Sequence, residues 1–213
     1  MLRFFKKLKV DKEDSILDFG CGSGALLTAL KTKGFTNIHG YEPHNKKYSG
    51  TLKGGQKYNL VYSTYVFEHL FNFDDFFADL DRATKSGSRV FVICDTATRI
   101  PKLDPACLYQ RCSIHAPFHT VLPSDDAVTG MFLKKGYRLA QFFPYDVQRS
   151  GLIFNNRVIA IFLDRLGDTK DKLISATWRE QVLCLLKSPF SFFNALLIDT
   201  KDPLTSSFVF TKV

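Results

Sequence analysis

The sequence predicts an α/β domain built on a doubly wound, mostly parallel sheet, and three observations predict it. An apolar run, Ser15 to Phe19, leads through a glycine-rich turn, Gly20 to Gly24, into a segment with leucines at helical spacing, Ala25 to Lys33. Further apolar strand-like runs then alternate with helical periods as far as Phe143. The chain closes on Ser207 to Lys212, which alternates like a strand. At 213 residues a single domain spanning 1–213 is the default. A chain of this size buries roughly 70% of its unfolded surface, enough for a real core.

Each element has a local cause. Gly34 stops the first helix as the residue past its last turn. A strand over Asn37 to Glu42 follows, and then His44 to Lys57, which is polar, glycine-bearing and weakly structured. Leu60 to Thr64 reads as a buried strand. Phe71 to Lys85 puts Phe73, Phe76, Phe77 and Leu80 on one helical face and ends at Ser86-Gly87. Arg89 to Cys94 is the strongest strand. After a loop from Asp95 to Pro123, Ser124 is a good N-cap for a helix over Asp125 to Lys135. Gly136 closes that helix before a strand around Tyr137 to Phe143. Residues 146–205 then carry two apolar-periodic segments, Asn155 to Leu166 and Asp171 to Leu186, and a Phe-rich patch. They form a helical, aromatic insertion before the final strand.

Composition narrows the class. Apolar residues at 45% and charged residues at 23% exclude disorder, collagen-like repetition and a coiled coil. No apolar run approaches the roughly 20 residues of a membrane span. The start MLRFFKKLKV lacks the apolar stretch of an export signal, so the chain is expected to be soluble and cytoplasmic. Five cysteines, an odd number, fit free thiols in a reducing compartment. A net charge of +8 permits an anionic partner, but the basic residues are scattered and no nucleic-acid-binding motif accompanies them. Aromatic residues at 14% imply either a thick core or an apolar pocket.

The glycine turn carries the chemistry. Gly20, Gly22 and Gly24 let a ligand approach the backbone where a helix N-terminus offers unpaired N–H groups. Gly20, Gly22 and Ala25 also fit the dinucleotide pattern G-x-G-x-x-G/A. Asp18, an acid just before the glycines, suits a ligand presenting an amino group better than a pyrophosphate. Glu42 ends the second strand, where an acid accepts hydrogen bonds from ribose hydroxyls. The stretch Tyr65 to Leu70 follows the next strand, at the carboxyl edge where such sheets bind ligands.

Four motifs in order, LDFGCGSG, IHGYEP, YNLVYSTYVFEHL and HTVLPSDDAVTGMFLKKGY, resemble the class I S-adenosylmethionine-dependent methyltransferases. The small-molecule branch with ubiquinone-biosynthesis-type enzymes is the nearest look, over residues 14 to 145 and the last strand. The resemblance implies a Rossmann-like sheet with an antiparallel last strand and S-adenosylmethionine as cofactor. It places Asp18, Gly20, Cys21, Gly22 and Gly24 around the methionine half; Cys21 itself reads as a small filler rather than a nucleophile. Glu42 would hold the ribose, Ser63, Thr64 and Tyr65 would line the wall near the sulfonium, and Glu68-His69 would begin the following helix.

The sequence departs from that family in three places. Glu42 and Leu60 stand so close in the chain that the third strand and its helix are shortened or missing, and no acid is assignable to the adenine amine. The N-terminus is also short, with little chain before Asp18 to cover a cofactor. Some quinone-methylating relatives carry an acid three residues before the Glu-His pair to complete a metal site; here that place is Tyr65, so no metal is expected.

Methyl transfer from a sulfonium rests largely on positioning, and a base is needed only when the acceptor must lose a proton. His115 and His119 are the candidate catalytic residues, His119 matching the family's histidine shortly before the helix-capping Ser124. Cys107, Cys112, His115 and His119 also form C-x4-C-x2-H-x3-H, too compressed for the usual zinc finger. In the insertion, Trp178, Phe190, Phe192 and Phe193 either pack on the sheet or line a substrate lid. Together with Phe4, Phe5 and Lys6 to Lys9 they could instead rest peripherally on a membrane. The expected function is methyl transfer to oxygen or nitrogen of a small or medium organic acceptor, anionic or apolar. A non-catalytic binding module on the same fold is the alternative, and an NAD-dependent oxidoreductase stands third, disfavoured by Asp18.

Overall fold

The computed structural model describes residues 8–99, 118–145 and 204–213, together with Phe5, Val147 and Leu186. Strand β1 runs Ile16–Phe19 and is wholly buried. The glycine turn delivers the chain into helix α1, Ala25–Lys31, which buries Leu27 and Leu30. Strand β2 is Ile38–Tyr41 and strand β3 is Leu60–Thr64. Helix α2, Phe73–Ala83, starts where the Asn72 side chain accepts the Asp74 N–H. Asp74 and Asp75 sit in its first turn, at the positive end of the helix dipole. Strand β4, Arg89–Asp95, is followed by helix α3, Asp125–Lys134, whose N-cap Ser124 accepts the Ala127 N–H as the sequence expects. Strands β5, Tyr137–Phe143, and β6, Thr205–Lys212, complete the sheet.

The six strands lie in the order β2-β1-β3-β4-β6-β5. The first four are mutually parallel, and β6 runs antiparallel between β4 and β5. The sheet is therefore the doubly wound, mostly parallel form with an antiparallel last strand that the sequence predicts. Successive residues of β1 feed opposite faces: Ile16 joins Phe5, Leu27, Leu30, Tyr62 and Phe91, while Leu17 joins Phe76, Phe77, Phe132 and Phe210. Burial on both faces explains why these strands read as continuous apolar runs. Phe132 of α3 stacks on Phe210 of β6 at 4.0 Å between centroids, fixing that helix to the sheet.

The short stretch between Glu42 and Leu60 has a structural outcome. Among the described residues it forms one 3-10 turn, Thr51–Gly54, and no strand pairs with the outer edge of β2. Thr51 Oγ1 donates to Gly40 O at 2.5 Å and so occupies part of that edge. One local expectation is corrected. Glu68-His69 do not begin a helix; Phe67–His69 is a single 3-10 turn, and α2 begins at Phe73 because Asn72, extended at φ −133°, supplies the cap. Almost all of the insertion at 146–205, with its expected helices Asn155–Leu166 and Asp171–Leu186, lies outside the described residues, as do Trp178, Phe190, Phe192, Phe193, Phe4, Lys6 and Lys7.

Candidate active site

The carboxyl edge of β1, β2 and β3 carries the glycine turn. Gly20 and Gly24 have φ of 84° and 82°, and each is crowded where a side chain would begin. A Cβ on Gly20 would stand 2.2 Å from Val66 Cγ2, and one on Gly24 would stand 2.2 Å from the Tyr48 hydroxyl. Gly22, at φ 52°, faces open space. The crowded glycines thus let the turn pack against the protein, while the middle one leaves room beside the turn.

Backbone hydrogen bonds hold this shape. Gly20 and Cys21 N–H both donate to Tyr41 O, at 2.8 and 3.1 Å. Gly22 N–H donates to Glu42 Oε2 at 3.2 Å, and Asn45 Nδ2 donates to Gly22 O at 3.0 Å. The His44 N–H donates to the other Glu42 oxygen at 3.3 Å. Each carboxylate oxygen retains acceptor capacity beyond one such bond.

Asp18 stands opposite Gly40 and Tyr62 in the sheet and is 4% exposed. Burial, and then the neighbouring charge of Glu42, push its carboxyl up to about 7. Two carboxyls beside an open glycine turn fit a ligand that brings a cationic amino group and vicinal hydroxyls. The same surroundings push the Cys21 thiol up to about 12, again chiefly by burial, and its sulfur packs on Gly40. Cys21 is therefore not a nucleophile. Ser63 is buried and Thr64 and Tyr65 are half-buried at the end of β3. Tyr65 adopts φ 55°, a left-handed conformation uncommon for a residue with a side chain, at the point where the chain leaves the sheet.

A second constellation lies just beyond Tyr65. Glu68 is wholly buried, His69 exposed and His119 half-buried, and one ligating atom of each lies within 4.8 Å of the other two. The His69 and His119 rings meet edge to face at 4.6 Å. Their segments are laced together: Thr120 N–H donates to Glu68 O at 2.8 Å, Thr120 Oγ1 donates to Leu70 O at 2.7 Å, and His69 Nδ1–H donates to Phe118 O at 3.0 Å. His115, Cys107 and Cys112 lie outside the described residues. Sequence reasoning found Glu68, His69 and His119 separately but not together. The pair and His119 are remote in the chain, and the hydrogen bonds of Thr120 that unite them leave no mark on spacing. Asn45 and Tyr48, which brace the glycine turn, went unnoticed for the same reason.

A family model described as a methyltransferase domain matches residues 1–142. No curated protein sequence is similar enough to count as a match. Among solved structures, a coclaurine N-methyltransferase bound to N-methylheliamine and S-adenosylhomocysteine is 16% identical, with a TM-score of 0.54 over 99% of this chain and 69% of that one. Geranyl diphosphate C-methyltransferase from Streptomyces coelicolor A3(2) is 12% identical, with a TM-score of 0.57 over 99% and 78%. A methyltransferase dependent on S-adenosylmethionine from Archaeoglobus fulgidus is 13% identical, with a TM-score of 0.56 over 99% and 92%.

Proposed function

The chain belongs to the methyltransferase-domain family, with S-adenosylmethionine as cofactor, and from that premise we propose that it methylates oxygen or nitrogen of a small or medium organic acceptor held over the 67–69 turn. The observation that carries this reading is the pair Asp18 and Glu42 flanking the open Gly22 turn. Asp18 would hold the cofactor's amino group, Glu42 its ribose hydroxyls, and Ser63, Thr64 and Tyr65 its reactive end. The cofactor supplies a methyl group on a sulfonium, which needs alignment more than activation.

The chain's own groups would do the aligning. Asp18 as carboxylate favours a cation at the turn, and the hydrogen bonds from Gly20 and Cys21 to Tyr41 fix the distance between Asp18 and Glu42. On the acceptor side, His119 would take the acceptor's proton, with the carboxyl of Glu68 in the same cluster. Phe71 and Phe118, adjacent in the chain to Leu70 and His119, are 93% and 63% exposed, aromatic surface that suits an acceptor with an apolar body.

Titration calorimetry with S-adenosylmethionine and S-adenosylhomocysteine tests the reading. Binding is expected, and no heat at millimolar ligand would overturn it in favour of a non-catalytic module. Cofactor-loaded protein incubated with cell extract, and followed by mass spectrometry, then identifies the acceptor.

A further inference from the structure

We propose that the outer flank of β2 holds a second ligand site, which binds a small phosphate monoester, with Lys31 and Lys47 on the phosphate and Leu27, Ile38 and Tyr48 against its apolar body. A cavity of about 240 Å³ lies there, between α1, β2 and the segment leading to Thr51, and these five residues are part of its lining. It arises because no strand pairs with that flank among the described residues, while Lys47, Tyr48 and Thr51 wall it from outside. The space equals about eight water molecules at ~30 Å³ each, below the roughly 300–1,000 Å³ of pockets for drug-sized ligands. The occupant is therefore small.

The walls differ in character. Leu27 and Ile38 are buried, and Gly40 lets the helix close on the strand: a Cβ there would stand 2.6 Å from Leu27 Cδ1. That wall is apolar. The charge of the cavity is one-sided, since two lysines and no acid line it. None of the ion pairs among the described residues engages either lysine, and Lys47 Nζ lies 5.0 Å from the centroid of the Tyr48 ring. Burial and the charge of Lys31 hold the His39 imidazole, also in the lining, below its ordinary pKa, so it is neutral at pH 7 and the two lysines carry the charge. A phosphate monoester has a charge of about −1.5 to −2 at pH 7, which matches two ammonium groups, and lysine binds phosphate as a point charge.

The strand edge adds a donor. Asn37 O and Tyr41 O accept the N–H groups of Ile16 and Gly20, so the alternation of the strand turns the N–H and C=O of Ile38 and Gly40 to the outer side. Thr51 Oγ1 donates to Gly40 O and reaches Tyr48 O at 2.9 Å, tying the two walls together. The Gly40 N–H has no such partner among the described residues and is left to donate to a phosphate oxygen. Tyr48 touches both this cavity and the glycine turn, its hydroxyl meeting Gly24, but Gly20, Gly22 and Glu42 do not line the cavity. Phosphate binding there does not depend on methyl transfer.

The full chain would be titrated by calorimetry with phenyl phosphate and, in parallel, with inorganic phosphate. One phenyl phosphate per chain is expected, with a dissociation constant below about 1 mM, and inorganic phosphate should bind at least roughly tenfold more weakly because it buries no ring. Lys31→Met and Lys47→Met should each weaken phenyl phosphate binding roughly tenfold or more. Both lysines are exposed, so these variants keep the fold. Thr28→Trp, at an exposed lining position of α1, should fill the cavity and abolish binding. Lys33→Met, just past α1 and outside the lining, should bind as the parent does. No binding at millimolar phenyl phosphate, equal affinity for inorganic phosphate, or an equal loss in Lys33→Met overturns the proposal. Displacement of phenyl phosphate by S-adenosylhomocysteine also overturns it, by placing the probe in the glycine turn. S-adenosylhomocysteine affinity measured without phenyl phosphate reports separately on the methyltransferase reading.

Discussion

Gly22 and Glu42 are joined by a hydrogen bond of 3.2 Å from the glycine N–H to Oε2, which ties the turn after β1 to the end of β2. Replacing Glu42 with Ala removes both that tie and the proposed acceptor for ribose hydroxyls. Charge-assisted hydrogen bonds contribute about 1.5–3 kcal/mol each, so cofactor affinity should fall by roughly tenfold to a hundredfold. Glu42 is only half-buried, and the melting temperature should move little. Calorimetry beside a thermal melt separates the two effects.

Asp18 makes cofactor affinity depend on pH. Its carboxyl titrates at about 7 in the unliganded protein, and the charged form is the one that would attract an amino cation. Affinity should therefore rise with pH, by at most tenfold per unit, and level off above about 7. The stability of the unliganded protein runs the other way. A folded-state pKa raised above the unfolded carboxyl value of 3.8 contributes stability below that value and loses it as pH climbs through about 7. Asp18→Asn should flatten both profiles, as affinity and denaturant midpoints across this range will show.

Gly20 and Gly22 should respond differently to alanine. Both have positive φ, which costs an alanine about 1 kcal/mol or more. At Gly20 the added methyl also meets Val66 at 2.2 Å, so Gly20→Ala should destabilise the fold by a further ~1–3 kcal/mol. Gly22→Ala finds open space and should keep most of the stability while obstructing the cofactor. Equal losses of stability in the two variants would refute this placement of the open side.

His119→Ala should lower turnover by roughly a hundredfold or more while leaving S-adenosylmethionine affinity near the parent value, because the side chain groups with Glu68 and His69, where we propose the acceptor binds, and not with the glycine turn. Single-turnover rates and calorimetry on one preparation will distinguish this from a structural role.

Phe132 packs against Phe67, Phe77, Tyr137 and Phe210 with no exposure. Phe132→Ala should cost about 3–5 kcal/mol, measured by denaturant unfolding. The same residue shows how much of the fold was legible. Val128 and Phe132 sit at helical spacing behind a serine cap and before Gly136, so helix α3 could be read locally. The parallel strands were legible because both faces are buried, and the missing outer strand because the chain from Glu42 to Leu60 is too short to hold it and its helix. What could not be read depends on contacts remote in sequence: Tyr48 over Gly24, Val66 against Gly20, and the strap of Thr120 across Glu68 and Leu70. Half of the candidate site, Asp18 to Glu42, is local to one βαβ unit and announced itself through glycines and acids. The other half exists only after two loops meet.

The uncrowded flank of β2 has a further consequence. Thr51, through its hydroxyl on Gly40 O, shields part of an edge that is itself short, and Lys46 and Lys47 lie in the chain between β2 and Thr51. Short strands with nearby lysines discourage unwanted pairing between molecules. The same edge is a natural graft point: a strand and helix spliced into residues 49–57 could dock on β2 without altering the β1–β2 register, which is set inside the core by Ile16 opposite Ile38. The fold is thus open to growth at the flank that its sequence has pared away.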